Sequence, residues 1–191
     1  MAEPGDEGVA GDVLDEVLVA ARADAPWAFE HLYARFAPAV SGYLRMHGAT
    51  DPEGLTNEVM LGVFRGLPSF EGEGTGFRSW LFTIAHRRLI DERRRASVRP
   101  KSDELVEERH ERPGGDVEVE ALSGLEDERV RTLLDGLTAE QREVVLLRVV
   151  ADLSVEQVAQ VLDKRTGAVK MLQRRGLARL RRILETQGVT S

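Results

Sequence analysis

The chain is 191 residues long, with no cysteine, 42% hydrophobic and 31% charged residues, and a formal net charge of −7. That length fits one ordinary domain or two small ones, and the lack of cysteine excludes a disulfide scaffold, a cysteine-ligated zinc finger and a thiol nucleophile. No apolar run approaches the roughly 20 residues of a membrane span, and the acidic start lacks the basic and apolar segments of a signal peptide, so no membrane insertion and a cytoplasmic location are expected.

Residues 1–24 are acidic and free of aromatics, which predicts a mostly disordered tail with a short helix at Val13–Arg22. From Ala25 the pattern turns helical. Phe29, Leu32, Tyr33, Phe36 and Val40 recur at three- and four-residue steps and predict a buried face, with a kink or restart at Pro38. His47-Gly48-Ala49-Thr50 reads as a stop and Asp51-Pro52-Glu53 as a start. Leu55, Val59, Val63 and Leu67 then repeat every four residues until Pro68. A loop over Pro68–Gly76 holds Gly72, Gly74 and Gly76, and Phe77–Arg95 forms the next helix, with Trp80, Leu81, Ile84 and Leu89 on its core face. Residues 99–127 combine acids with Pro100, Pro113, Gly114 and Gly115, the composition of a flexible linker.

Helical signals return near Glu128. Leu133, Leu134 and Leu137 belong to a short helix closed near Gly136. Thr138-x-x-Gln141 and Ser154-x-x-Gln157 are capping boxes that open helices through Val150 and over Val155–Leu162. Thr166 is placed to cap a last helix running to about Leu184. Strand signals are absent. The expected fold is all-α: an acidic tail (1–24), a helical domain (25–98), an acidic linker (99–127) and a second helical domain (128–186).

Charge is unevenly spread. Residues 86–101 carry seven basic and two acidic residues, residues 102–128 eleven acids and two arginines, and residues 164–182 eight basic residues and no acid. Two basic blocks flanking an acidic one suggest two contact surfaces for a polyanion; solvated helix faces are the bland alternative. Residues 153–174 place Val155, Val158, Ala159 and Leu162 before a tight turn and Val169 and Leu172 after it, with small Ala159 at the crossing point. That is the pattern of a helix-turn-helix, whose second helix enters the DNA major groove. Its exposed residues would be Arg165, Thr166, Lys170 and Arg174, with Arg175 beyond them. Arginine can bond guanine O6 and N7 together; lysine and threonine can meet bases or phosphates. In the earlier basic helix, aromatics beside arginines and a glycine loop are suited either to core packing or to stacking on unpaired bases.

His31, His47, His86 and His110 lack metal-ligand spacing, and Gly72-x-Gly74-x-Gly76 follows a helix rather than a strand. Hence no catalytic residue, metal or cofactor is expected, and the chain is read as a non-enzyme.

Leu55-Thr56-Asn57-Glu58-Val59-Met60, Phe70, Phe77-Arg78-x-Trp80-Leu81, Ile84-Ala85-x-Arg87 and Asp91-x-x-Arg94 resemble region 2 of the extracytoplasmic-function group of bacterial sigma factors. Leu137-Thr138-x-x-Gln141-Arg142-x-Val144, Gly167-Ala168-Val169-Lys170 and Leu177-Ala178-Arg179-Leu180 resemble region 4 of that group, in the same order. The resemblance implies a promoter-specificity subunit that binds core RNA polymerase and helps open promoter DNA. Leu55, Thr56, Asn57, Glu58 and Val59 would face the β′ clamp helices. The loop from Phe70 to Phe77 would hold a flipped −10 base, and Arg78, Trp80, His86, Arg87 and Arg94 would line the opening surface. Arg165, Thr166, Lys170, Arg174 and Arg175 would contact the −35 element, and region 4 the β flap. An anti-sigma factor is an implied partner. Asp163 stands where the family usually has the turn glycine. The alternative is a helix-turn-helix activator with a helical sensory domain.

Overall fold

A computed structural model describes residues 6–98 and 128–186, together with Gly188. The linker reading for 99–127 lies outside these residues. Among the described residues there is no strand, and no helix is long and apolar enough to cross a membrane.

Four α-helices build the N-terminal unit: α1 (Asp6–Arg22), α2 (Pro26–Met46), α3 (Pro52–Gly66) and α4 (Gly74–Val98), with a 3-10 turn at Leu67–Ser69 between the last two. α1 contains the helix expected at Val13–Arg22 and extends it back to Asp6, where a disordered tail was expected. Leu14, Val17, Leu18 and Ala21 form a three- and four-residue stripe that is buried against the bundle. The acidic composition of this stretch therefore does not mean a lack of core residues.

α2 starts with Pro26 in its first turn and buries Ala28, Leu32, Phe36, Val40, Tyr43 and Leu44. Tyr33, expected in that face, is 42% exposed. The helix runs on through Pro38. Pro38 and Ala34, whose carbonyl loses its partner there, are both exposed, so water can serve the orphaned oxygen. Asp51 caps α3 by accepting from the Gly54 N–H at 2.8 Å. α4 buries Phe77, Leu81, Phe82, Ala85 and Leu89 against the other helices.

The C-terminal unit holds α5 (described over 128–135), α6 (Ala139–Val149), α7 (Val155–Val161) and α8 (Thr166–Thr186). Both capping boxes form, with Thr138 and Ser154 as caps. α6 and α8 approach closely at Gly176, where a Cβ would lie 3.0 Å from Val145 Cγ2. Between α7 and α8 the chain reverses through Asp163, which takes a left-handed φ of 49°. The Lys164 N–H donates to Ala159 O at 2.9 Å and closes α7.

The two units pack together. Arg78 of α4 donates to Ala151 O at 3.1 Å and lies 3.7 Å from the Asp152 carboxylate. Gln157 of α7 donates to Thr75 O at 2.7 Å. Arg131 of α5 reaches Arg45 O at 3.2 Å. The first helix of the helix-turn-helix thus sits on the N-terminal end of α4.

Candidate nucleic-acid interface

α8 sorts its basic residues by direction. Val169, Leu172 and Gly176 turn inward and are buried. Arg165, Thr166, Lys170, Arg174 and Arg175 are all exposed, and Thr166, Lys170 and Arg174 follow one another at four-residue steps on one face. Two other members of the basic block have structural partners instead. Lys164 pairs with Glu140 at 2.7 Å, and Arg179 donates to the Gly136 carbonyl. The helix therefore presents a compact basic face at its N-terminal end, while the cations on either side of it hold the motif together.

The N-terminal unit carries a second surface, built around an aromatic step. Phe70 stacks on Trp80 at 4.7 Å with 27° between the rings, and Phe77 meets Phe70 edge-on at 5.7 Å. Trp80 rests over Gly66, where a Cβ would come within 3.0 Å of the indole. Trp80, Ile84, Arg87 and Arg94 follow at steps of four, three and seven along one side of α4; the first two are half-buried, the two arginines exposed. An aromatic step continuing into exposed arginines matches what unpaired bases and their phosphates need.

Several expected contacts are corrected. Phe77 is fully buried against Phe36, at 5.2 Å between ring centroids, and has no surface to offer DNA. His86 is buried as well, with Nδ1 3.0 Å from the Tyr43 hydroxyl. Burial, aided by Arg93, lowers its pKa, so it belongs to a buried polar cluster rather than to the surface. In the same cluster Arg93 donates to His47 O at 2.9 Å and lies 3.2 Å from His47 Nδ1. Burial and then the Arg93 charge hold the His47 pKa down at about 3. Arg78 is half-buried by its bond to Ala151 and its approach to Asp152, so its guanidinium is occupied while the units are together.

On α3, Leu55, Thr56 and Val59 are buried, and the Thr56 hydroxyl donates to Pro52 O at 2.6 Å. They are core, not contact surface. Asn57 and Glu58 are exposed. Asn57 Oδ1 accepts from the Tyr33 hydroxyl at 2.7 Å, and Glu58 pairs with Arg88 at 3.8 Å. Leu61, one turn beyond Asn57, is 52% exposed and was missed in the sequence. Its signal was its position off the Leu55–Val59–Val63 stripe. Among the described residues no group of three or more His, Asp or Glu side chains converges as metal ligands would.

Comparison with known proteins identifies the family. The family model for sigma-70 region 2 matches residues 32–99, and that for sigma-70 region 4 matches residues 127–180. The sigma factor SigD of Mycobacterium tuberculosis is 33% identical over 178 residues, covering 90% of this chain and 84% of that protein. The chain belongs to the extracytoplasmic-function sigma factors. Another relative, BldN of Streptomyces coelicolor, is 33% identical over 177 residues, covering 88% of this chain and 65% of its own. The solved structure of CnrH with the cytosolic domain of CnrY has the same fold, at a TM-score of 0.67 and 24% identity over 91% of this chain and 98% of that one. The region 2 match falls on α2–α4 and the region 4 match on α5–α8, with α1 packed on α2 and α4.

Proposed function

We propose that the chain directs core RNA polymerase to two-element promoters by a division of labour between its units. The basic face of α8, with Arg165, Thr166, Lys170, Arg174 and Arg175, reads the −35 element in the major groove. The aromatic step of Phe70 and Trp80, with Arg87 and Arg94, receives and holds the opened −10 strand. Asn57 and Glu58, extended by Tyr33 and Leu61, form the face offered to the β′ clamp helices. The observation that carries this reading is the coexistence of two surfaces of different type: a groove-reading helix, and an aromatic–arginine stripe suited to single strands. An activator that binds only duplex has no use for the second. Such a subunit works in the cytoplasm and is open to control by an anti-sigma factor that covers either surface.

The closed packing bears on this cycle. Arg78 and the backbone of Thr75 are engaged by the α7 side of region 4, so the −10 surface is complete only when the units part. The direct test is transcription by purified core polymerase on a two-element promoter. A sigma factor confers initiation on core; the rival activator binds duplex alone and leaves core unable to start.

A further inference from the structure

The loop between α3 and α4 is short: its own turns bond the Phe70 N–H to Leu67 O and the Gly76 and Phe77 N–H groups to Glu73 O, while the stretch between them, at Gly72 and Gly74, is held from α1. Arg22, at the end of α1, donates from Nη2 to Gly72 O at 2.8 Å, and its guanidinium lies 5.7 Å from the centroid of the Phe70 ring. Phe70 therefore stacks on Trp80 and also has the Arg22 guanidinium beside its ring. Seven residues earlier on α1, Asp15 Oδ1 accepts from the Gly74 N–H at 2.5 Å. Gly74 is the first residue of α4, so Asp15 supplies that helix with an N-cap from another element and sets a negative charge at its positive end. Leu14 lies against the same spot; a Cβ on Gly74 would be 3.1 Å from Leu14 Cδ2. α1 is itself fixed, with Leu14, Val17, Leu18 and Ala21 no more than 6% exposed. Gly72 completes the arrangement, because a Cβ there would collide with the Phe70 ring.

We propose that Asp15 and Arg22 of α1 are positioning residues for −10 recognition: they set the shape of the 70–74 loop and with it the choice of the flipped base. The proposal rests on the reading of that loop as the base-holding element. Neither side chain touches DNA. Asp15 fixes where α4 begins, which sets the height of Trp80 two turns on. Arg22 fixes Gly72 and restricts the tilt of Phe70, the ring a captured base would meet. A loop released from α1 at Gly72 and Gly74 accepts more than one base.

The test is transcription by the holoenzyme, core polymerase plus the full chain, on a promoter library randomised over the −10 element with a constant −35. The readout is the ranking of −10 sequences within one reaction, a ratio that loss of folded protein does not alter. For Asp15→Ala and Arg22→Ala, preference at one −10 position falls by about fivefold, the effect of losing a positioning hydrogen bond of ~1 kcal/mol. Asp15→Asn, which keeps an acceptor for the Gly74 N–H, restores the ranking. Arg22→Lys, which keeps the charge but loses the flat guanidinium over Phe70, shifts it in the same direction by less and serves if the alanine variant does not assemble. Phe70→Ala is the control for the underlying reading and shifts the ranking at that same position. If Phe70→Ala shifts the ranking while the Asp15 and Arg22 variants only lower total output, α1 is merely structural and the proposal is overturned. If Phe70→Ala leaves the ranking intact, the loop is not the base-holding element and both readings fall.

Discussion

His47 shows how a single buried side chain makes this protein acid-sensitive. It sits between Tyr43, His86 and Arg93, with Arg142 and Glu143 of α6 facing the same cluster from region 4. Its pKa of about 3 in the folded chain lies below the ordinary value of about 6.5. The unfolded chain therefore binds a proton through that interval and the folded chain does not. Stability is complete above about pH 6.5 and falls as the pH drops toward 3, by about 2 kcal/mol from this one group on reaching pH 5. Denaturant midpoints at pH 7.5 and pH 5 measure it, and His47→Gln, which cannot take the proton, flattens the difference. An equal slope in the variant would contradict the assignment. The cluster also shows what the sequence hides at this scale. Tyr43 and His86 are 43 positions apart, so nothing local marked His86 as a buried partner rather than a DNA contact. Leu55 and Val59 are different: their four-residue spacing already placed them on a core stripe, and a motif match says which position is occupied, not which way it points.

At the scale of elements, most of the fold was legible because its punctuation is strong. Pro52 after Asp51, the two capping boxes and the Gly48 stop each fix a helix end by a local hydrogen bond or a forbidden dihedral. The second half of α1, Val13–Arg22, was legible as a helix, but its earlier start and its place in the core were not, because its charge was more conspicuous than its apolar stripe. α2 passes Pro38 because the lost bond faces water, which sequence cannot show. The turn of the helix-turn-helix carries its own prediction. Asp163 accepts the left-handed conformation that a glycine would take freely, at φ 49°. Asp163→Gly is therefore expected to raise unfolding free energy by up to about 1 kcal/mol, the strain relieved less the entropy a glycine loses on folding. A lower denaturant midpoint in the variant would show that the aspartate side chain stabilises the turn by more than the backbone strain. The exposed basic face of α8 was legible for the same reason as the turn: Val169 and Leu172 set its inward side, and the exposed cations follow by geometry.

Across the whole molecule, the informative feature is that region 4 rests on the N-terminal end of α4, beside the surface proposed to meet opened DNA. Partly exposed ion pairs such as Arg78 with Asp152 contribute roughly 0–1 kcal/mol each, so this polar contact across the seam is weak. The chain has no cysteine, so labels can be placed cleanly at Arg65→Cys and Thr186→Cys. Energy transfer between them is expected to fall when core polymerase binds; unchanged transfer would mean that the closed packing persists in the holoenzyme. The measurement that bears most directly on the central claim is run-off transcription with purified core polymerase on a promoter carrying both elements. The account predicts a defined transcript with chain and core together and with neither alone. It also predicts that Arg174→Ala relaxes one −35 position, at a cost of about 1–3 kcal/mol, while −10 choice is kept. A chain that binds the duplex tightly but gives core no capacity to initiate would contradict it.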